Sequence, residues 1–168
     1  MAETRNAPGM DAAPVLTPEQ AQQLASDAAD AMWARDHVAQ GLGMVLVEVQ
    51  PGTARLRMQV RQDMVNGHAI CHGGMLFTLA DTAFAYACNS YNHNTVASAC
   101  SIDFLAPAHL GDTLIADAVE RALGGRSGVY DVTVSTAAGK TVALFRGKSA
   151  RIKGAVTDSV PTGSSATA

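Results

Sequence analysis

The stretch GGMLFTLADTAFAYACNS, residues 73–90, decides the fold. It has no proline, few β-branched residues and many alanines and leucines, and this composition predicts one long helix. Its only carboxylate or basic side chain is Asp81, and the side chains three and four positions away on the same face are uncharged. A surface helix would show a polar stripe opposite an apolar one, so we predict that this helix is buried on most sides.

Asp81 is costly in such a helix because removing a carboxylate from water is unfavourable. Aspartate is also a poor helix former in the middle of a segment. A carboxylate in these surroundings is a candidate general base or nucleophile. A structural aspartate, bound to a buried hydroxyl or exposed at a solvent edge, explains the residue equally well at this point.

The loop before the helix indicates a site for a carbonyl oxygen. Gly73 and Gly74 open the helix. The first N–H groups of a helix have no internal partners, and this end of a helix carries partial positive charge. Such groups can stabilise the oxyanion that forms when an acyl carbonyl is attacked. In the same loop, the Asn66 amide can orient water or a carbonyl, and His72 can organise the loop or support the carbonyl pocket. Paired glycines and a turn asparagine are also common without any such function.

The histidines and the cysteine of this loop do not indicate a metal site. His68, Cys71 and His72 give three potential ligands within five residues, with no second cluster to match them. Zinc sites usually draw their ligands from separated elements, so we expect no metal, and no cofactor is implied. The three cysteines are an odd, sparse set that predicts free thiols in a reducing compartment, with Cys88 and Cys100 as small core residues.

The remaining pattern predicts an α+β fold. Thr17, followed by Pro18, predicts the start of a helix that runs to about Arg35. The predicted strands lie at residues 44–49 and 54–60 before the long helix, and at about 95–105, 113–123, 128–137 and 140–152 after it. We expect the last four to form a meander of antiparallel hairpins. A sheet that wraps around one central helix is the hotdog arrangement.

Length and composition limit the remaining possibilities. The 168 residues suit one domain, placed at residues 17–153 between a disordered N-terminal extension (1–16) and a flexible tail (154–168). The net charge of -3 lacks the basic excess of a nucleic-acid-binding protein. No apolar run reaches the roughly 18 residues of a membrane span, and the N-terminus lacks the pattern of a secretory signal. We therefore expect a cytoplasmic protein without nucleic-acid or membrane partners.

The spacing of the two candidate elements predicts a homodimer. Gly73 and Asp81 are eight residues apart on one helix, which is about 12 Å along the axis. One subunit cannot bring both to the same carbonyl. They can act together only if Asp81 comes from a second subunit, which gives paired, shared sites.

Three stretches resemble the PaaI group, the phenylacetic-acid-degradation thioesterases of the hotdog superfamily. They are MVNGHAICHGGMLFTLADTAFAYACNS (64–90), TVASACSIDFLAPAHLGDTL and TVALFRGKSARIKG, and the resemblance covers about residues 40–153. It implies hydrolysis of acyl-CoA thioesters, with phenylacetyl or hydroxyphenylacetyl groups favoured. It also implies that Asp81 is the catalytic carboxylate, that Asn66 and Gly73 position and polarise the thioester, and that two dimers form a tetramer.

A basic cluster near the C-terminus supports binding of coenzyme A. Arg146, Lys148, Arg151 and Lys153 place four cations within eight residues, and the first two share one strand face. They can contact the CoA phosphates, although a positively charged sheet edge explains them equally well. Gly74 and Thr82 are further candidates for substrate contact.

Two rival functions stay open from the residues alone. A hotdog hydratase or dehydratase would use a histidine base, for which His72 is available. A non-catalytic acyl-CoA-binding protein would bind the same ligand without turnover.

Overall fold

The computed structural model describes residues 15–158 and shows one antiparallel sheet with a long helix on its inner face. Residues 1–14 and 159–168 lie outside the described part, and with them most of the predicted extension and tail. The helices are α1 (Pro18–Trp33), α2 (His37–Gly41) and α3 (Gly73–Asn89). The strands are β1 (Val45–Gln50), β2 (Thr53–Gln59), β3 (Thr95–Phe104), β4 (Thr113–Gly124), β5 (Ser127–Thr136) and β6 (Thr141–Arg151).

Helix α1 begins where the sequence predicts. The Thr17 side chain accepts a hydrogen bond from the Gln20 N–H at 3.3 Å, and the Gln20 side chain accepts one from the Thr17 N–H at 2.9 Å. This capping box satisfies two N–H groups that would otherwise lack partners. The helix ends at Trp33, two residues earlier than the prediction of Arg35, and buries its alanines Ala25, Ala28 and Ala29.

The strand order is β1-β2-β4-β5-β6-β3, and every pair is antiparallel. The predicted meander is correct for β4, β5 and β6 but wrong for β3, which pairs with β6 instead of β4. The reason is the connection at residues 105–112, which is too long for a tight hairpin. It crosses in front of the α3 N-terminus, where Ala108 O accepts from the Cys71 N–H at 2.8 Å. The crossing delivers β4 beside β2 and leaves β3 at the far edge of the sheet.

Helix α3 lies across the inner face of the sheet and contacts all six strands. Phe84 reaches Gly147 of β6, where an added Cβ would lie 2.8 Å from two atoms of its ring. The predicted burial holds for most of the helix, from Leu76 to Asn89. A narrow stripe departs from it, because Gly74 is exposed and four residues behind it are only half-buried: Thr78, Asp81, Thr82 and Ala85.

The short helix α2 was not predicted, because five residues are too few to show a helical period. Asp36 caps α2 through Oδ1, which accepts from the Ala39 N–H at 3.0 Å. Its Oδ2 accepts from the Tyr86 hydroxyl at 3.3 Å and ties α2 to α3.

At the C-terminal end of the described residues, the first residues of the predicted tail pack on the rest of the domain, since Asn92 exchanges two hydrogen bonds with the Thr157 backbone at 2.9 and 3.0 Å.

None of the helices between residues 15 and 158 has the length and apolar character needed to cross a membrane.

Candidate active site

Asp81 lies in the middle of α3, on the half-buried stripe that faces the edge strand β3. Its Oδ1 is 4.0 Å from the Cys100 Sγ, at the outer limit of a hydrogen bond to sulfur. Within residues 15–158, no cation and no stronger donor binds the carboxylate. The neighbouring hydroxyls are used elsewhere, since Thr78 donates to Gly74 O at 2.8 Å and Thr82 donates to Thr78 O at 2.7 Å.

Burial without a partner raises the pKa of the Asp81 carboxyl above its ordinary value. The long contact with Cys100 does not offset this effect, and partial burial, followed by the negative charge of Asp81, raises the pKa of the Cys100 thiol. A carboxylate with a raised pKa is a stronger base than an ordinary aspartate, and the half-open stripe gives water access to it. The geometry therefore suits removal of a proton from water.

The N-terminus of α3 leaves one backbone donor unoccupied. His72 is the N-cap, and its Nδ1 accepts from the Gly74 N–H at 2.9 Å. The His72 carbonyl accepts from the Met75 N–H at 2.9 Å. Among the described residues the Gly73 N–H makes no hydrogen bond, and it lies at the positive end of the helix. This N–H is the available donor for a substrate carbonyl oxygen, whereas the Gly74 N–H is already used.

Asn66 folds the loop that leads to this helix end. Its Oδ1 accepts from the His68 N–H at 2.9 Å and from the Ile70 N–H at 3.4 Å. This is the turn role that asparagine often has. No residue from 15 to 158 binds the Asn66 amide nitrogen, so two N–H donors remain for a ligand.

A cavity of about 500 Å³ opens beside the Gly73 N–H. Its walls are mostly apolar and come from the loop, the start of α3 and the end of β3: Asn66, Ile70, Cys71, Gly73, Leu76, Phe104, Leu105, Ala106, Pro107 and Ala108. Asn66 and the Gly73 backbone supply the polar groups. A volume of this size lies within the range of small-molecule sites, roughly 300–1,000 Å³.

The predicted CoA-binding cations lie on the outer face of the sheet, opposite α3. Arg146 is held by Asp131, with Nε–Oδ1 at 2.7 Å and Nη2–Oδ2 at 2.9 Å. Arg121 binds the same carboxylate at 3.0 Å, and the hydrogen bond from Arg146 is the main reason that the pKa of Asp131 is lowered. Lys148 is exposed on the same face. The structure therefore does not bring Arg146 and Lys148 together with Asp81.

Sequence reasoning missed two neighbours of the candidate residues. Cys100 is exposed beside Asp81, so its assignment to the core is wrong: nothing within residues 15–158 covers the outer edge of β3. Phe104, on the same strand, lies against Gly73. Alternation along 95–104 places both on one strand face, but only the pairing of β3 with β6 shows which residues that face meets.

The comparisons with known proteins agree with this geometry. A family model described as Thioesterase superfamily matches residues 68–143. The acyl-coenzyme A thioesterase PaaI of Escherichia coli (strain K12) is 54% identical over 129 residues, which cover 77% of this chain and 92% of the relative. The chain belongs to the thioesterase superfamily.

Solved structures of similar proteins share the fold. That of the E. coli PaaI protein from the phenylacetic acid degradation operon has a TM-score of 0.79 at 51% identity, covering 80% of this chain and 97% of that chain. A mutant of the Thermus thermophilus phenylacetic acid degradation protein PaaI has a TM-score of 0.66 at 38% identity, covering 68% and 98%. A Streptococcus mutans protein bound to acetyl CoA has a TM-score of 0.65 at 27% identity, covering 67% and 90%. The predicted hotdog fold, PaaI-type family and thioesterase class are confirmed.

Proposed function

We propose that this protein hydrolyses acyl-CoA thioesters, with phenylacetyl-CoA-like aryl esters as the preferred substrates. The observation that carries the proposal is a pair of groups: within residues 15–158, no cation binds the half-buried Asp81 and no acceptor binds the Gly73 N–H at the helix end. The relatives named for acyl-CoA hydrolysis and for phenylacetic acid degradation support the substrate class.

In the proposed mechanism the thioester carbonyl oxygen accepts a hydrogen bond from the Gly73 N–H. Asp81 takes a proton from water as the water oxygen attacks the carbonyl carbon. The resulting oxyanion is stabilised by the Gly73 N–H and the positive end of α3, and it collapses with expulsion of the CoA thiolate. Asn66 holds the carbonyl or the water through its free amide, and the Thr82 hydroxyl oxygen accepts from the same water. His72 keeps the helix end in shape through its bond to Gly74.

Two subunits are needed for this mechanism, because Asp81 and Gly73 lie on one helix about 12 Å apart along the axis. The edge strand β3 supports a homodimer, since it has no partner on its outer side among the described residues and carries an exposed apolar side chain, Val96. An unpaired apolar edge is a surface that another chain can cover. Pairing there would bring Asp81 of one subunit to the α3 N-terminus of the other. The association of two such dimers into a tetramer remains a proposal from the family resemblance.

Arg146 and Lys148, the two predicted cations, are the candidates to bind the CoA phosphates. Lys148 is the stronger candidate of the two predicted cations, because no described residue binds its amine. Arg146 would first have to leave Asp131. For the cellular location, three free thiols at Cys71, Cys88 and Cys100 favour a reducing compartment, and we propose the cytoplasm.

The proposal is tested by thiol release from a panel of aryl and alkyl CoA esters. We expect turnover with phenylacetyl-CoA in the wild type, and a loss of about 10²- to 10⁴-fold in Asp81→Asn with the fold intact by circular dichroism. Near-normal turnover in this variant would refute the role of Asp81. A change in acyl absorbance without thiol release would instead show a hydratase.

The role of Asp81 as a base has its own test. In single-turnover hydrolysis in heavy-oxygen water, general-base catalysis places the label in the product acid and none in the protein. Label in the Asp81 carboxylate, found by mass analysis of the peptide, would show direct attack and a mixed anhydride instead.

A further inference from the structure

Phe104 is the aromatic side chain nearest to the candidate carbonyl site. It ends β3 and extends over the start of α3, so that a Cβ added to Gly73 would lie 3.0 Å from its Cζ and within 3.4 Å of both Cε atoms. The end of the ring therefore lies on the glycine whose N–H is free. Only glycine allows this approach, because any other side chain at residue 73 would push the ring away.

Phe104 is also unusually exposed for its type. It is 54% exposed and the adjacent Leu105 is 56% exposed, yet both line the cavity of about 500 Å³ beside Gly73. Scattered apolar residues on a surface need no explanation, but adjacent ones that line a cavity next to a polar donor suggest a binding site. The end of the ring meets Gly73, and the rest of it is free to contact a ligand.

We propose that Phe104 forms the wall of the acyl pocket and selects aryl over alkyl acyl groups. This inference rests on the proposed thioesterase function. A carbonyl bound to the Gly73 N–H places the first carbon atoms of the acyl group beside the ring that covers the same glycine. An aromatic acyl group can then pack edge-to-face or offset on Phe104, at the centroid separations of roughly 4.5–7 Å that aromatic pairs prefer.

The lining of the cavity suits an acyl group as its occupant. The apolar walls of Ile70, Leu76 and Pro107 suit a hydrocarbon group, and no charged residue lines the cavity. The polar groups are the Gly73 backbone and Asn66, at the end where the carbonyl would lie. This combination of one polar end and apolar walls matches a thioester with an uncharged acyl group.

The test compares phenylacetyl-CoA with hexanoyl-CoA in three variants. Phe104→Leu keeps an apolar side chain and removes the ring, so the ratio of kcat/KM for the aryl ester to that for the alkyl ester should fall roughly two- to tenfold, the worth of one aromatic pair. Phe104→Tyr keeps the ring and should keep the ratio. Leu110→Ala removes an exposed leucine outside the cavity, 55% exposed, and should change neither rate.

Three outcomes would overturn the inference. The first is a ratio that stays at the wild-type value in Phe104→Leu. The second is a parallel loss of rate with both esters, which would mean that the ring only supports the Gly73 backbone. A change of oligomeric state in Phe104→Leu, measured by light scattering, would mean that a partner subunit covers the ring. Wild-type turnover of either ester, measured first, separates these outcomes from failure of the proposed thioesterase function. Since more than half of Phe104 is exposed, Phe104→Leu should fold. If Phe104→Leu does not fold, Phe104→Tyr still tests the ring, because a lower ratio in that variant would contradict the inference.

Discussion

At the scale of single residues, Asp81 and Gly73 contribute opposite kinds of electrostatics to the candidate site. In the part of the chain that the structure describes, no group neutralises the charge of Asp81, and no group accepts from the Gly73 N–H. Both features are unfavourable for folding by themselves, because a desolvated charge and an unbound N–H each cost free energy. Groups left in this condition are typical of sites that bind or transform a ligand.

The raised pKa of Asp81 predicts how stability depends on pH. The folded state holds the Asp81 proton more tightly than the unfolded state, whose carboxyl titrates at about 3.9. The neutral carboxyl therefore stabilises the fold fully below that value, and this stabilisation is lost as the pH rises through the raised pKa. We expect Asp81→Asn to be more stable than the wild type at neutral pH, and the difference to shrink on acidification.

Denaturant unfolding of the two proteins at several pH values measures this difference. Asp131→Asn is the opposite control. The hydrogen bond from Arg146 lowers the pKa of Asp131, so removal of the Asp131 carboxylate should cost stability at neutral pH. An Asp81→Asn variant that is less stable than the wild type at pH 7 would show that the carboxylate has a favourable partner.

Gly73→Ala tests the close contact with Phe104. The added methyl would lie 3.0 Å from the ring end, so the ring must turn out of its position beside the carbonyl site. We expect thioester turnover to fall by more than about tenfold, since a displacement of about 1 Å in a group of the site can lower the rate by more than that. Helix content should be unchanged, because alanine is the better helix former. Gly67→Ala is the matched control, with nothing within 4 Å of the new atom.

The sequence singles out Asp81, Gly73 and His72 as candidates, because a charged residue inside an apolar helix and a His-Gly pair at a helix start stand out from their surroundings. Their roles stay predictions. The sequence is not sufficient to predict the surroundings of these residues. The loss of Gly74 as a donor depends on a His72 rotamer, and the pairing of Arg146 with Asp131 depends on the register of two strands that meet outside the site. Such contacts join residues whose spacing along the chain carries no information about them.

At the scale of secondary-structure elements, α3 fits the sheet because residue 147 has no side chain. Phe84 occupies the space above Gly147, and Phe145 lies beside it, with its ring centre 5.9 Å from that of Phe84. A helix that carries the proposed catalytic group must be held firmly, and close packing against β6 serves this purpose.

Gly147→Ala should therefore destabilise the protein. The new methyl would lie 2.8 Å from two Phe84 ring atoms and 3.0 Å from Phe145, and overpacking of this kind costs about 1–3 kcal/mol. Thermal or urea unfolding measures the loss. Gly124→Ala, in a strand but with open space around the added atom, should change the free energy of unfolding by less than about 0.5 kcal/mol. Equal stability of the two variants would contradict the packing argument.

Nearly all elements were predictable from local patterns, with ends correct to within one or two residues. Their order in the sheet was not, because a local pattern cannot report which strands pair after a long connection. The segment at residues 105–112 crosses the α3 N-terminus through Cys71 and Ala108, and this crossing separates β3 from β4.

At the scale of the whole molecule, the proposed dimer predicts complementation between inactive variants. An Asp81→Asn subunit and a Gly73→Ala subunit, mixed under conditions that exchange subunits, form mixed dimers with one complete site and one doubly altered site. An equal mixture should recover roughly a quarter of wild-type turnover, because half of the dimers are mixed and one site of two is complete in each.

Thiol release before and after exchange measures the recovery, and a mixture of Asp81→Asn with itself controls for the exchange step. Absence of recovery, with mixed dimers shown by mass spectrometry, would place both residues of each site in one subunit. Such a result would also remove the reason for proposing shared sites at the β3 edge.

The position of β3 has a consequence for synthesis on the ribosome. This strand follows α3 directly, yet its sole sheet neighbour in the described chain is β6, which is made after all the other described strands. Until β6 emerges, the nascent polypeptide holds α3 with one flank unfinished, and the strand that carries Cys100 and Phe104 has no fixed place. Long-range pairing of this kind forms late. The Asp81 flank of α3 is therefore completed only after β6 has been translated, and a polypeptide that stalls before that strand has an unfinished candidate site.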